Sequence, residues 1–319
     1  MSDDHAATIA AVLAGDRRGI ARAITRVEND PVAAAAIIGG VHARSGGALL
    51  VGVTGSPGVG KSSLVDRMTA AWRTRGRQVA VLAVDPSSPF TGGAVLGDRV
   101  RMQNHAGDAG VFVRSMATRG ELGGLSRATG DAALVLDAAG FEVVVIETVG
   151  VGQAEVEISR AADVTVVVTM PGTGDGVQAI KAGVMEIADL FVVNKADLAG
   201  AGRAATEIEA ALSLAELPPE SWRPPVLQTT ATRYEGVADV LDTIDRFRDH
   251  GGTDAVGRRR ARIAARLRQL VADRAVRRVT TSGRFAQAVE RVLDRSVDLY
   301  TAGDELLENG PGESGPSVA

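Results

Sequence analysis

Across its 319 residues the chain has no cysteine, which excludes disulfides, thiolate metal sites and cysteine nucleophiles. Histidine is nearly as scarce: His5, His42, His105 and His250 are scattered and make no cluster of the kind that carries a transition metal. No uncharged apolar run approaches the roughly 18 to 20 residues that cross a bilayer. Met1 to Ala14 carries Asp3 and Asp4 and no basic segment ahead of an apolar stretch, so it does not read as a signal peptide. A cytoplasmic protein without a membrane partner is the expectation. The formal net charge of −4 gives no reason to expect a polyanionic partner. Nine arginines do fall between 258 and 278, but they share their segment with an apolar stripe and have no interleaved aromatics. A solvated helix face, not nucleic-acid binding, is the reading.

With 45% hydrophobic residues the chain can bury one substantial core plus appendages. Its most informative stretch is Gly55-Ser56-Pro57-Gly58-Val59-Gly60-Lys61-Ser62-Ser63, which follows the apolar run Leu49 to Val53. The spacing fits a phosphate-binding loop. Its glycines let backbone N–H groups approach an anion, because a Cβ would block that path. A helix beginning near Lys61 presents its positive dipole end to the same phosphates. Lys61 can reach the β and γ oxygens, and the Ser62 hydroxyl is placed to ligate Mg²⁺.

A second stretch, Asn194-Lys195-Ala196-Asp197, follows the apolar run Leu190 to Val193. The Asp197 carboxylate can accept two hydrogen bonds from the N1–H and N2–H₂ edge of guanine, a donor pair that adenine lacks. Asn194 would brace the loop and touch the purine, with the Lys195 stem over the ring. Thr230 and Ala231, after a further strand, lie in the order expected for a backbone N–H that meets guanine O6. Together these motifs specify GTP and GDP.

Between them, the buried run Val143 to Ile146 ends in Glu147-Thr-Val-Gly150, where a carboxylate can support Mg²⁺ and a glycine N–H can meet a terminal phosphate. Asp85 and Asp98 are further candidates for metal contact or for positioning the attacking water. Turn or helix capping is the alternative for both. Gln153 stands three residues beyond Gly150, too far to inherit the water-orienting role of the adjacent glutamine in Ras-like proteins, so slow hydrolysis that needs a partner is expected.

Alternating apolar strands and helical patterns predict an α/β fold: a doubly wound, mostly parallel sheet with helical extensions. Strands are expected at 49–53, 79–84, 111–114, 143–147, 164–169, 190–194 and 226–229, with helices near 62–75, 124–139, 176–188, 203–216 and 237–248. Residues 1–45 form a helical N-terminal extension broken at Asp30-Pro31 and Gly39-Gly40, and 46–250 the nucleotide domain. Residues 251–302 carry apolar-striped helices, and 303–319, rich in Gly, Glu, Ser and Pro, are expected to be disordered.

The blocks at 55–62, 84–93 (Val-Asp-Pro-Ser-Ser-Pro-Phe-Thr-Gly-Gly), 96–102 (Leu-Gly-Asp-Arg-Val-Arg-Met), 113–120 (Val-Arg-Ser-Met-Ala-Thr-Arg-Gly), 147–153 (Glu-Thr-Val-Gly-Val-Gly-Gln) and 194–197 resemble the methylmalonyl-CoA mutase-associated GTPases, the MeaB/ArgK family. The resemblance implies a homodimeric GTPase that binds an adenosylcobalamin-dependent acyl-CoA mutase, gates cofactor loading and protects the mutase from inactivation. It also implies an acidic magnesium and switch cluster of Asp85, Asp98 and Glu147, a further switch over 172–181 and a dimer contact through the C-terminal helices. The other classes considered are a nickel metallochaperone GTPase and a P-loop small-molecule kinase. The missing His and Cys clusters argue against the first, and Asp197 argues against an ATP-using kinase.

Overall fold

A computed structural model of the chain describes residues 3–85, 103–105, 107–117, 127–148, 154–172, 185–214, 221–250 and 255–308. Three helices open the chain: α1 (Asp3–Leu13), α2 (Arg17–Asn29) and α3 (Pro31–Val41). The aspartates between them explain the breaks. Asp16 accepts from the Gly19 N–H and caps α2; Asp30 accepts from Val32 and Ala33 and caps α3, which has Pro31 in its first turn. The expected break at Gly39-Gly40 does not occur, since both glycines lie inside α3. Gly40 is there for packing: a Cβ at this position would overlap the Ile9 side chain of α1.

Strand β1 (Leu49–Thr54) leads into α4 (Lys61–Thr74), followed by β2 (Val79–Asp85), β3 (Val111–Ala117), α5 (Arg127–Ala138), β4 (Val143–Thr148), α6 (Ala154–Ala161), β5 (Val164–Thr169), β6 (Leu190–Asn194), α7 (Ala201–Ser213), β7 (Val226–Thr229) and α8 (Val237–His250). The seven strands are parallel in the order β3-β2-β4-β1-β5-β6-β7. β1 pairs with β4 on one side and β5 on the other, so the chain changes direction across it. Ligands of open α/β sheets bind at such a switch point, beyond the carboxyl ends of the strands.

Strand alternation assigns the two faces. Val79, Val81, Val143, Val145, Val166 and Val192 join Leu64, Val65, Met68 and Trp72 of α4 and Val240, Leu241, Ile244 and Phe247 of α8. On the opposite face Ala80, Leu82, Val84, Val144 and Ile146 join α5, Ile158 of α6, and Ile20, Ile24, Val27 and Ile37 of the N-terminal helices. The helical prefix therefore covers part of the sheet and shares its core. Asp137 of α5 fixes the connection into β1, accepting from the backbone N–H groups of Gly46, Gly47 and Ala48.

The chain divides into two compact units, Met1–Val256 and Gly257–Ala319. The segment that follows α8 contributes α9 (Ala255–Thr280), α10 (Gly283–Leu293) and α11 (Leu299–Glu308). Helix α11 corrects the expectation of disorder from residue 303. Its Glu305 binds the Arg291 guanidinium of α10 at 2.6 Å and its backbone carbonyl accepts from Arg284, and these contacts hold residues 303–308 in a helix. Residues 309–319 lie outside the described part, as does most of the helix expected over 176–188. No helix among the described residues is long and apolar enough to cross a membrane.

Candidate functional site

Four sequence motifs meet at the carboxyl edge of the sheet. The loop from Gly55 to Gly60 joins β1 to α4, and α4 begins at Lys61 as the spacing predicts. Gly55 has φ +138° and a Cβ there would overlap the Val168 carbonyl of β5; Gly60 has φ +95° and a Cβ there would overlap the Asn194 amide. Both places need glycine because of φ and close neighbours at once. Lys61 is buried and its Nζ donates to the Gly55 and Ser56 carbonyls at 2.7 and 3.0 Å, so the ammonium lies along the concave side of its own loop. Pro57 and Gly58 at the tip are exposed, Val59 is buried in the core beneath, and Ser63 is half-buried on α4.

The Ser62 hydroxyl, one residue into α4, donates to Glu147 Oε1 at 2.6 Å. Glu147 is the penultimate residue of the fully buried strand β4 and is itself 4% exposed. A buried carboxylate one hydrogen bond from a hydroxyl beside a phosphate loop is a pair of hard oxygen donors. That donor set suits Mg²⁺, which takes one or two protein oxygens and completes its shell with phosphate and water. Among the described residues no group of three or more His or acidic side chains stands ready to hold a metal. Asp85 ends β2, with only its backbone described, and Asp98 and Gly150 lie outside the described residues, as do Gln153 and 173–184.

Asn194 ends β6 and is the joint of the site. Its Nδ2 donates to the Val59 carbonyl at 2.9 Å, while its Oδ1 accepts from the Thr229 hydroxyl at 3.0 Å and the Ala231 N–H at 3.2 Å. One buried amide thereby ties the phosphate loop to the loop after β7. Lys195 adopts φ +57°, a left-handed conformation that turns the chain sharply, and its Nζ donates to the Gly58 carbonyl at 2.8 Å. Asp197 is about one-third exposed, with Arg233 Nη2 at 3.8 Å. Thr230 begins the following loop; its N–H donates to the Glu235 carbonyl at 3.1 Å, and Ala231–Arg233 forms a 3₁₀ turn.

Sequence reasoning singled out Lys61, Ser62, Glu147 and Asn194, and the structure brings them to one edge. It did not find Thr229 as a partner of Asn194, nor the buried hydroxyl pair in which Thr148 donates to Thr54 at 2.9 Å across β4 and β1. Their signal, a threonine at the carboxyl end of a buried strand, is common to ordinary strand ends. The helix Ala154–Ala161 also escaped the sequence reading, being short and next to the glycine-rich Glu147-to-Gln153 block.

A glycine-rich loop between a switch-point strand and a helix, with Lys and Ser opening that helix and an acid on the adjacent strand, defines a P-loop nucleotide-binding protein. Residues 20–284 match the family described as "Methylmalonyl Co-A mutase-associated GTPase MeaB", and the chain belongs to that family of P-loop GTPases. Among relatives, a protein of Pyrococcus abyssi (strain GE5 / Orsay) is 49% identical over 306 residues, covering 92% of this chain and 93% of that one. The GTPase ArgK of Escherichia coli (strain K12) is 37% identical over 241 residues, 73% of each chain. The crystal structure of a LAO/AO transport system kinase superposes with a TM-score of 0.71 at 27% identity, over 96% of this chain and 97% of that one.

Proposed function

We propose that the chain is a guanine-nucleotide switch for an adenosylcobalamin-dependent acyl-CoA mutase, with methylmalonyl-CoA mutase as first candidate client. In this reading GTP binding and hydrolysis gate cofactor loading and protect the mutase from inactivation. The observation that carries it is the family match over residues 20–284, whose description names the mutase association, together with a P-loop and Asn194 loop joined into one site.

Lys61 would hold the β and γ oxygens, the backbone from Gly55 to Ser63 would wrap the phosphates, and Asp197 with Ala231 would read guanine. Mg²⁺, held by Ser62 and Glu147 with Asp85 and Asp98 as further candidates, would neutralise charge on the transferred phosphoryl group. The hydrogen bond from the Ser62 hydroxyl to Glu147 holds these two oxygen donors side by side, which supports their sharing one ion. Intrinsic turnover is slow in this reading, because Gln153 is displaced from the position next to Gly150. Homodimerisation through 251–302 is supported by exposed apolar side chains, Ile263, Leu267 and Val271 on α9 and Phe285, Val289 and Leu293 on α10.

The test is steady-state GTP hydrolysis by the purified protein with and without the mutase from the same source. Stimulation supports the switch reading and should weaken when Asp175 or Lys181 is replaced. Hydrolysis indifferent to every acyl-CoA mutase tried removes the mutase as client and leaves a GTPase with another one.

A further inference from the structure

The loop after β7 turns back through a left-handed residue that closes the 3₁₀ turn Ala231–Arg233. Tyr234 adopts φ +64°. A bulky side chain in the left-handed region costs on the order of 1 kcal/mol or more, so the surroundings must hold it there. Its ring is half exposed, too open for burial to be the reason. The Tyr234 N–H donates to the Ala231 carbonyl at 3.3 Å, which holds the backbone, and its side chain is held by Arg67, on α4 and more than a turn beyond Ser62. The Arg67 guanidinium lies 4.2 Å from the ring centroid, and its Nη1 donates to the phenol oxygen at 2.6 Å. The front of the loop has its own anchors, Thr229 and Ala231 on Asn194 and the Thr230 N–H on the Glu235 carbonyl. Its return, from Tyr234 to Gly236, is bonded to that front through Glu235 and the Tyr234 N–H, and the Arg67–Tyr234 pair adds a tie to the phosphate helix.

We propose that Arg67 and Tyr234 are positioning residues for guanine recognition, fixing the 230–236 loop against the phosphate helix so that the Ala231 N–H, which donates to Asn194 Oδ1 at 3.2 Å, is held where it can share that hydrogen with an arriving guanine O6. The proposal rests on the assignment of Asp197 and Ala231 to the base. Guanine offers an acceptor at O6 where adenine offers a donor, so a fixed N–H adds to GTP and subtracts from ATP. A loop free to shift loses that discrimination while the phosphate contacts of Gly55 to Ser62 are untouched. The pair also makes the base loop and the phosphate helix move as one body.

The test is the affinity of the full chain for GTP, ATP and inorganic tripolyphosphate by calorimetry, with melting temperature recorded alongside. Arg67→Ala should lower the GTP-to-ATP ratio about tenfold, the scale of one charge-assisted hydrogen bond with a ring contact, and leave tripolyphosphate binding unchanged. Tyr234→Asn keeps a side chain that tolerates the left-handed backbone and should cause the same loss; Tyr234→Phe keeps the ring under the guanidinium and should retain most of the ratio. Unchanged ratios in Arg67→Ala and Tyr234→Asn overturn the proposal, as does equal weakening of all three ligands, which marks the pair as structural only. A wild-type chain that does not prefer GTP, or Asp197→Asn that leaves the preference intact, overturns the base assignment itself.

Discussion

The side-chain amide of Asn194 donates to the backbone carbonyl of Val59 across 135 positions of sequence, and the same side chain accepts from Thr229 and Ala231. Three loops from three strands therefore share one buried amide. Asn194→Ala removes several buried hydrogen bonds at about 1 kcal/mol each and leaves their partners to find others. The expected outcome is a loss of roughly 2 to 4 kcal/mol in urea unfolding, with GTP affinity falling more steeply than stability predicts. A GTP affinity equal to wild type would mean that the loops hold their positions without it.

Asp197 is the residue proposed to read the base. Asp197→Asn replaces one acceptor oxygen by a donor, which mismatches guanine N2–H₂ and matches the second carbonyl of xanthine. GTP affinity should fall at least about 100-fold and the xanthine nucleotide should become the better ligand, as competition binding would record. Preference for GTP over the xanthine nucleotide in the variant would remove Asp197 from base recognition.

Glu147→Gln keeps the shape of the side chain and removes its charge. The hydroxyl of Ser62 retains an acceptor, so the fold should survive, while the Mg²⁺ concentration that half-saturates GTP hydrolysis should rise about tenfold or more. Titration of hydrolysis against Mg²⁺ decides it: an unchanged midpoint would leave Glu147 as a structural partner of Ser62 alone.

Away from the site, Asp108 accepts from Arg73 Nε at 2.8 Å and Nη2 at 3.0 Å and from the Gly110 N–H at 2.8 Å. The Arg73 guanidinium, then the Gly110 N–H, hold its carboxyl below the ordinary carboxylate range. A carboxyl that titrates lower folded than unfolded binds fewer protons in the folded state. Its stabilisation is full above the unfolded value and is lost as pH falls through the folded one. Asp108→Asn should cost up to about 1 kcal/mol at pH 7, the group being one-third exposed, and flatten the fall in stability between neutral and acid pH. Melting curves from pH 7 down through the carboxylate range would show it; an unaltered slope would mean the pair contributes nothing.

The sheet was the most legible part of the sequence. β5 and β6 fall on the expected residues because a central parallel strand is buried on both faces and reads as an uninterrupted apolar run. Helix ends were harder. Gly39 and Gly40 carry the composition of a break, yet the approach of Ile9 makes glycine an asset at position 40 inside α3, a tertiary reason that no local pattern records. At the site, Gly55 to Ser62 and Asn194 to Asp197 were readable because each position has its own steric or hydrogen-bonding demand. Arg67 and Tyr234 were not, since an arginine on an amphipathic helix and a tyrosine before Glu-Gly look like ordinary surface until the fold sets them together.

The shared core of α2 and the sheet has a consequence during synthesis. Ile20, Ile24 and Val27 leave the ribosome early, but Leu82, Leu136 and Ile146, which cover them, come some 60 to 120 positions later in the chain. At about 5 to 20 residues per second, the first helices wait several seconds or longer with their oily faces uncovered. The nascent chain must be shielded over that interval, and a nucleotide domain cut free at residue 46 would carry the matching bare patch permanently.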